Sequence, residues 1–491
     1  MGTLRNVRRI APARRSDDEM VEPAVDPSAP RTRTAWWHPE EEIPNRSARP
    51  VSVVADSGSE SSGAFTALMV FTFILLISPQ SIFPVLGKFR LAWLAGMTSV
   101  ALLLLDRLPR GRPLFTPGRE TWGAAGLVAW AVLTIPFSYW PGGSFSLITQ
   151  IYSKTLIIFW LLSLTVNTQQ RVVRVAWALS LMAIPIAYTG VSNYMSGNIT
   201  AQGGLQRIVG YEGALTENPN DLALMLNLII PLTVGLLSVP RRFFARLMLL
   251  AVLFLSVAAI VYTRSRGGFL TSVAVFLFYA WKLSRRGKGG WPIAILLLAL
   301  VCVPLLPEGY LSRINTITNM EEDETGSAQG RWATMTAGTD YVIQHPLVGA
   351  GIGMNSLVMN DLVAQTWHEV HNVYLQYGVD LGVPGLLLFL MIMAGSFRST
   401  IVVCRRSAGL PELGALFHLS EGLQGSLVAF AVGGFFSPVA YNFYFYYLAG
   451  IATGMRQAIG SVGAEAEEPM SPDIRGEQRL TRSSFQHLTS R

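Results

Sequence analysis

Charge is what this chain lacks most. Only 14% of its 491 residues are Asp, Glu, Lys or Arg, against 51% hydrophobic, and the mean hydropathy is +0.38. A soluble chain of this length carries roughly a quarter charged residues and divides into separately packed domains. The shortage excludes an ordinary soluble enzyme, and the gathering of apolar residues into long runs points to bilayer spans. Cysteine is scarce too: Cys302 lies in an apolar run and Cys404 in a basic loop, which excludes a disulfide framework. No internal repeat stands out. No cleavable signal peptide is expected, since the first apolar run begins only near Ala64. The net charge of +7 is not a nucleic-acid signal, because most arginines lie in tails or in short loops between apolar runs. Positive charge there sets topology.

What is present is a row of spans between two polar tails. Residues 1–62 are rich in Arg, Pro, Ser and Glu and are expected to form a disordered cytoplasmic tail. Their Ala35-Trp36-Trp37-His38 patch reads as an isolated sticky spot. About twelve apolar runs follow, each near the roughly twenty residues that a crossing helix needs. They centre on Phe65–Leu86, Leu91–Leu105, Trp122–Phe137, Phe145–Thr165, Val172–Gly190, Leu222–Ser238, Leu247–Val261, Leu270–Trp281, Trp291–Leu306, Leu381–Gly395, Leu423–Phe436 and Phe443–Gly454. The predicted organisation is all-α and polytopic: nine spans in 63–306, a large loop over 307–374, and three spans in 375–458. A second cytoplasmic tail follows over 459–491.

Basic residues orient the bundle. Alternate loops carry Arg107, Arg110, Arg112 and Arg119; Arg171 and Arg174; Arg241, Arg242 and Arg246; Lys282, Arg285, Arg286 and Lys288; Arg398, Arg405 and Arg406; and Arg456. The opposite loops are nearly free of positive charge, which predicts both termini inside and the loops Ser192–Asn220 and Pro307–Tyr374 outside. Four outward arginines break the pattern: Arg207 in GGLQRIVGYEG, Arg264 and Arg266 in YTRSRGG, and Arg331 in GRW. A lone outward arginine is often only a headgroup contact. Arginine from three separate outer loops, beside glycines that let backbone approach a ligand, favours a shared anion site. Phosphate is the obvious anion, since guanidinium matches its oxygens with paired donors.

Lys154 sits inside an apolar run, and no acidic residue lies in any other of these spans to pair with it. Such a lysine is expected to face the bundle interior or a polar cavity, as a structural ion-pair partner or, the preferred reading, to neutralise a pyrophosphate entering from the lipid. Thr216-Glu217-Asn218-Pro219-Asn220-Asp221 precedes a span. Asn220 or Asp221 is expected to cap that helix, and Asn218 and Asn220 can also orient a sugar or phosphate. The acidic run Glu321–Glu324 reads as a solvated face, and His345 as a loop-packing residue. His368 and His371 are three apart, but two ligands without a third make a weak metal site. His371-Asn372 ends the large loop just before an apolar run, which places a residue able to exchange a proton near neutral pH at a membrane surface.

Taken in order, these motifs resemble those of the O-antigen ligase and O-antigen polymerase superfamily. They are Arg207-Ile208-Val209-Gly210, Asn218-Pro219-Asn220, Ser265-Arg266-Gly267-Gly268, Gly330-Arg331-Trp332, the turn from His345 to Gly351, and His371-Asn372. Asp380 stands where the family often has glutamate, a shorter acid with less reach. The resemblance implies a class C glycosyltransferase architecture, a helical bundle in the bacterial inner membrane with a periplasmic helical loop. It implies transfer of an undecaprenyl-pyrophosphate-linked oligosaccharide to a glycan or lipid acceptor hydroxyl, without metal or cofactor. Arg207 and Arg266, with Arg264, would hold pyrophosphate, and His371 would act as general base or orient the acceptor. Arg331, Lys154, Asn218, Asn220, Asn372 and Asp380 are further substrate-binding candidates. Membrane lipids, a chain-length regulator and a flippase are the expected partners. Polymerisation of exopolysaccharide or lipopolysaccharide O-antigen is preferred over ligation to lipid A-core or protein. A transporter or flippase is the reading from another class, disfavoured because its polar groups belong near the midplane.

Overall fold

The computed structural model describes residues 62–202, 205–208, 210–211, 215–307, 309–317, 326–363 and 369–467. The tryptophan patch, the acidic run Glu321–Glu324, His368 and most of both tails lie outside the described residues.

A helix occupies each of the twelve apolar runs. The first four are α1 (Ser62–Ile77), α3 (Leu91–Arg107), α4 (Arg119–Leu133), and the pair α5 (Pro141–Leu147) and α6 (Ser153–Thr165) joined by a π-turn. A short α2 (Pro79–Ile82) follows α1. Then come α7 (Gln169–Met195), α8 (Pro219–Ser238), α9 (Phe243–Tyr262), α10 (Arg266–Arg285) and α11 (Gly290–Val301). The large loop folds into α12 (Tyr310–Asn315), α13 (Ser327–Gln344) and α14 (Asn355–Val363). The chain closes with α15 (Val373–Ser407), α16 (Gly414–Gly433) and α17 (Phe443–Glu467). Among the described residues, seven helical segments are long and apolar enough to cross a membrane. This is an all-α, multi-pass membrane protein. Among the described residues, the one departure from all-α is a two-stranded antiparallel ribbon in the first outer loop, β1 (Ile199–Gln202) with β2 (Leu205–Ile208), pairing Thr200 with Arg207.

Two helices form the centre. Within α8 and α16, 72% and 67% of the most apolar window is buried, against 28% in α9 and 22% in α10. The outer pair keeps its apolar side chains for lipid. Between membrane helices there is no hydrophobic driving force, so close packing and short polar links do the joining. Ser426 on α16 donates to the Leu228 carbonyl at 2.7 Å, and Ser180 on α7 pairs with Thr233 on α8 at 2.9 Å.

The acid census of the spans needs correcting. Asp106 lies in α3, Glu120 in α4, Asp221 in α8, Asp380 in α15 and Glu421 in α16, because these helices extend beyond their apolar runs. Helix α17 also continues past Ala458, where a tail was expected.

The break in α15 explains the turn from His345 to Gly351. Gly382 has φ 67°, ψ −173°, a conformation essentially confined to glycine. The break lets the turn dock against α15: Ala350 N–H donates to the Val379 carbonyl at 2.7 Å, Gly351 N–H to Asp380 at 2.8 Å, and Val383 N–H to Pro346 at 2.7 Å. Backbone groups freed by the break are thus satisfied by the loop, as a low-dielectric setting demands.

Candidate active site

The site is assembled at the ends of α8, α10 and α15 that face the two long loops. Asn218, not Asn220 or Asp221, caps α8: its side chain accepts from Asn220 N–H at 2.9 Å, with Pro219 in the first turn. Pro has no N–H to satisfy at that position, which suits it to follow the cap. Moving the cap to Asn218 leaves the Asn220 side chain for other work. Its oxygen accepts from Arg207 Nη2 and from Ser265 Oγ, each at 2.8 Å.

Arg207 reaches this point because the chain after β2 folds back on itself. Gly210 N–H donates to the Glu217 carbonyl at 2.8 Å and Tyr211 N–H to Thr216 at 3.1 Å. A Cβ on Gly210 would fall 1.9 Å from the Thr216 oxygen, so the motif needs glycine there. Arg207 also donates to the Thr263 carbonyl, from Nε at 3.3 Å and Nη2 at 3.2 Å. The next residue, Arg264, has φ +51°, a left-handed conformation that a long side chain seldom takes. Ser265 then caps α10 by accepting from Gly268 N–H at 3.1 Å, and Arg266 is its first helical residue. Arg266 Nη1 donates to Thr316 Oγ1 at 2.9 Å, and that hydroxyl donates to the Arg313 carbonyl at 2.8 Å. Helix α12 is thereby tied to the start of α10.

Four arginines therefore share one electrostatic neighbourhood. Burial, followed by the positive charges of Arg313, Arg331 and Arg266, pushes Arg207 down to about 10. Guanidinium ordinarily stays charged far above that, so the shift reflects burial first and the neighbouring cations second. Arg331, near the start of α13, lines a narrow cleft with Asn220, Ser265, Gly267, Phe436 and Ser437. The sequence reading overlooked Arg313. The same signal was available, since Arg313 is another arginine in an outer loop.

His371 lies immediately before α15. Its Nδ1 is 2.8 Å from the Glu369 carbonyl. A carbonyl only accepts, so Nδ1 carries the proton and the neutral ring holds its lone pair on Nε2, the form a general base needs. Partial burial raises the Glu369 carboxyl above its ordinary value, and Glu369 is close enough to Asp221 to repel it. That proximity places the segment carrying His371 in the neighbourhood of the start of α8. Asn372 is the cap of α15: its side chain accepts from Tyr374 N–H at 3.0 Å and Leu375 N–H at 3.1 Å. His345 stacks on Tyr341 with ring centroids 4.3 Å apart, a packing role.

Two candidates fall elsewhere. Lys154 is exposed on the flank of α6 rather than turned to the bundle interior or a polar cavity. The π-turn Ile148–Tyr152 directs Tyr152 inward, where it hydrogen-bonds Tyr446 at 2.7 Å. Lys154, two positions on, is rotated to the opposite side. Asp380 is wholly buried beneath the docked turn, accepting from Asn355 N–H at 2.7 Å and from the Asn355 side chain at 3.2 and 3.3 Å. It positions the loop.

A family model described as O-antigen ligase matches residues 224–390, from the first turn of α8 to the middle of α15. The match covers about a third of the chain and supports the likeness to the O-antigen ligase superfamily. No curated protein matches it. The matched span contains Arg266, Arg313, Arg331 and His371, whereas Arg207 and Asn220 lie just before it. The matched domain supports glycan transfer of the O-antigen ligase or polymerase type in general terms. By its chemistry, a site built this way can hold a multiply charged anion among the arginines and take a proton at His371.

Proposed function

We propose that this protein polymerises undecaprenyl-pyrophosphate-linked repeat units at the periplasmic face, lengthening exopolysaccharide or O-antigen. The observation that carries the reading is the convergence of Arg207, Arg266, Arg313 and Arg331 around the Asn220–Ser265 cleft. The leaving pyrophosphate gains charge as the glycosidic bond breaks, and preorganised cations stabilise that charge without a metal. His371 Nε2 takes the proton of the acceptor hydroxyl as its oxygen bonds to the anomeric carbon. The pyrophosphate leaves with the bonding pair.

The basic loops support the orientation. Arg241 and Arg242 follow α8, Arg285 and Arg286 end α10, and Arg405 and Arg406 end α15, all at helix ends opposite the arginine cluster. By the positive-inside rule those ends are cytoplasmic and the cluster is periplasmic. A cysteine placed near Glu322 should then react with an impermeant thiol reagent in intact spheroplasts. Labelling only after lysis would overturn the outward-facing site.

Ligation of a finished chain to lipid A-core or protein uses the same chemistry. A transporter would show a pathway rather than a site at one membrane face. An in vitro reaction with lipid-linked glycan, resolved by size on a gel, separates the three. A ladder of lengths supports polymerisation, a single transfer to lipid A-core or protein supports ligation, and no new glycosidic bond contradicts both.

A further inference from the structure

At the other end of α15 lies a groove of about 800 Å³ on the outside of the bundle, remote from the arginine cluster along the helix. Leu390, Met393, Phe397 and Ile401 give it an apolar floor, and Arg398 and Arg405 lie along it toward the end of the helix. Arg398 and Arg405 are seven residues apart, two helical turns, so they share a face. Both are exposed, and among the described residues neither forms an ion pair. Their neighbours differ: Lys282 and Arg286 on α10 converge on Glu421.

We propose that this groove binds an anionic phospholipid of the surrounding bilayer, with its phosphate on Arg398 and Arg405 and an acyl chain running toward Leu390. The dimensions fit. From Arg405 to Leu390 the helix rises about 22 Å, and from Arg398 about 12 Å, which brackets the roughly 15 Å hydrocarbon depth of one leaflet. Chemistry fits as well. An arginine one or two turns below a helix end extends its guanidinium to the headgroup layer while its methylenes stay in lipid. There it meets phosphate with paired donors. A zwitterionic lipid offers the same phosphate beside a fixed positive charge, so the groove should prefer a net anionic headgroup. This inference does not depend on the reaction proposed above.

The full chain, purified in detergent and exposed to equal amounts of phosphatidylglycerol and phosphatidylcholine, would be weighed intact by native mass spectrometry. Preferential retention of at least one phosphatidylglycerol is expected. Arg398→Gln and Arg405→Gln should each reduce that preference about 5-fold, whereas Arg241→Gln, outside the groove, should leave it unchanged. Equal retention of the two lipids by the wild-type chain overturns the proposal whatever the variants do. So does an undiminished preference in a properly inserted Arg398→Gln/Arg405→Gln double variant.

Discussion

The two ends of the bundle handle positive charge in opposite ways. Away from the long loops, Lys282 donates to Glu421 at 3.0 Å and to Gln424 at 2.7 Å, and Arg286 pairs with the same carboxylate. Two cations there share one carboxylate of the protein. Beneath the long loops, Arg207 donates to the neutral oxygens of Asn220 and Thr263, while Arg313, Arg331 and Arg266 crowd it. Neutral acceptors orient a guanidinium without cancelling its charge. The first arrangement holds helices together; in the function we propose, the second receives the pyrophosphate.

The largest expected effect comes from removing that preorganisation. Arg207→Ala combined with Arg266→Ala should abolish measurable transfer, since each lost donor costs on the order of 10²–10³-fold. Donor binding should weaken in parallel. Lysine at either position should rescue only in part, because a point charge does not reproduce paired donors. Purified protein assayed for both binding and turnover checks this.

His371→Ala should lower turnover by about 10²–10⁴-fold and leave donor binding intact, a division that equilibrium binding and single-turnover rates would reveal. Normal-length product at a normal rate from properly inserted His371→Ala would make Glu369 the first alternative base.

At the Glu421 end the expectation reverses. Glu421→Gln leaves Lys282 and Arg286 without their counterion and should destabilise the fold by about 3 kcal/mol. Turnover per folded molecule should stay near wild type. Thermal unfolding followed with activity of the soluble fraction tests both halves. The smallest effect should come from excess chelator, which leaves transfer unchanged; activity restored by one divalent ion would contradict a metal-independent arginine site.

Much of this contrast is visible in the sequence, for identifiable reasons. Hydropathy located the helices because a bilayer leaves the backbone few alternatives. Arg207, Arg266 and Arg331 stood out because each violates a charge rule that the other loops obey. What escaped depends on rotation and local backbone geometry. A π-turn before Lys154 decides which way that side chain points, and no hydropathy pattern records it. The shift of the cap to Asn218 turns on Pro219, and it frees Asn220 for Arg207. Asp380 read as a residue for substrate because its role is defined by the turn docked at Gly382, which meets it only in three dimensions.

The central claim is that the arginine cluster holds pyrophosphate while His371 serves the proton transfer. Equilibrium binding of the undecaprenyl-pyrophosphate-linked donor to inserted wild-type, Arg207→Ala and His371→Ala proteins tests it most directly. The account predicts that His371→Ala binds like the wild type and that Arg207→Ala binds at least about tenfold more weakly, the loss of one charge-assisted contact. Equal affinity in Arg207→Ala, with the variant correctly folded, would contradict it.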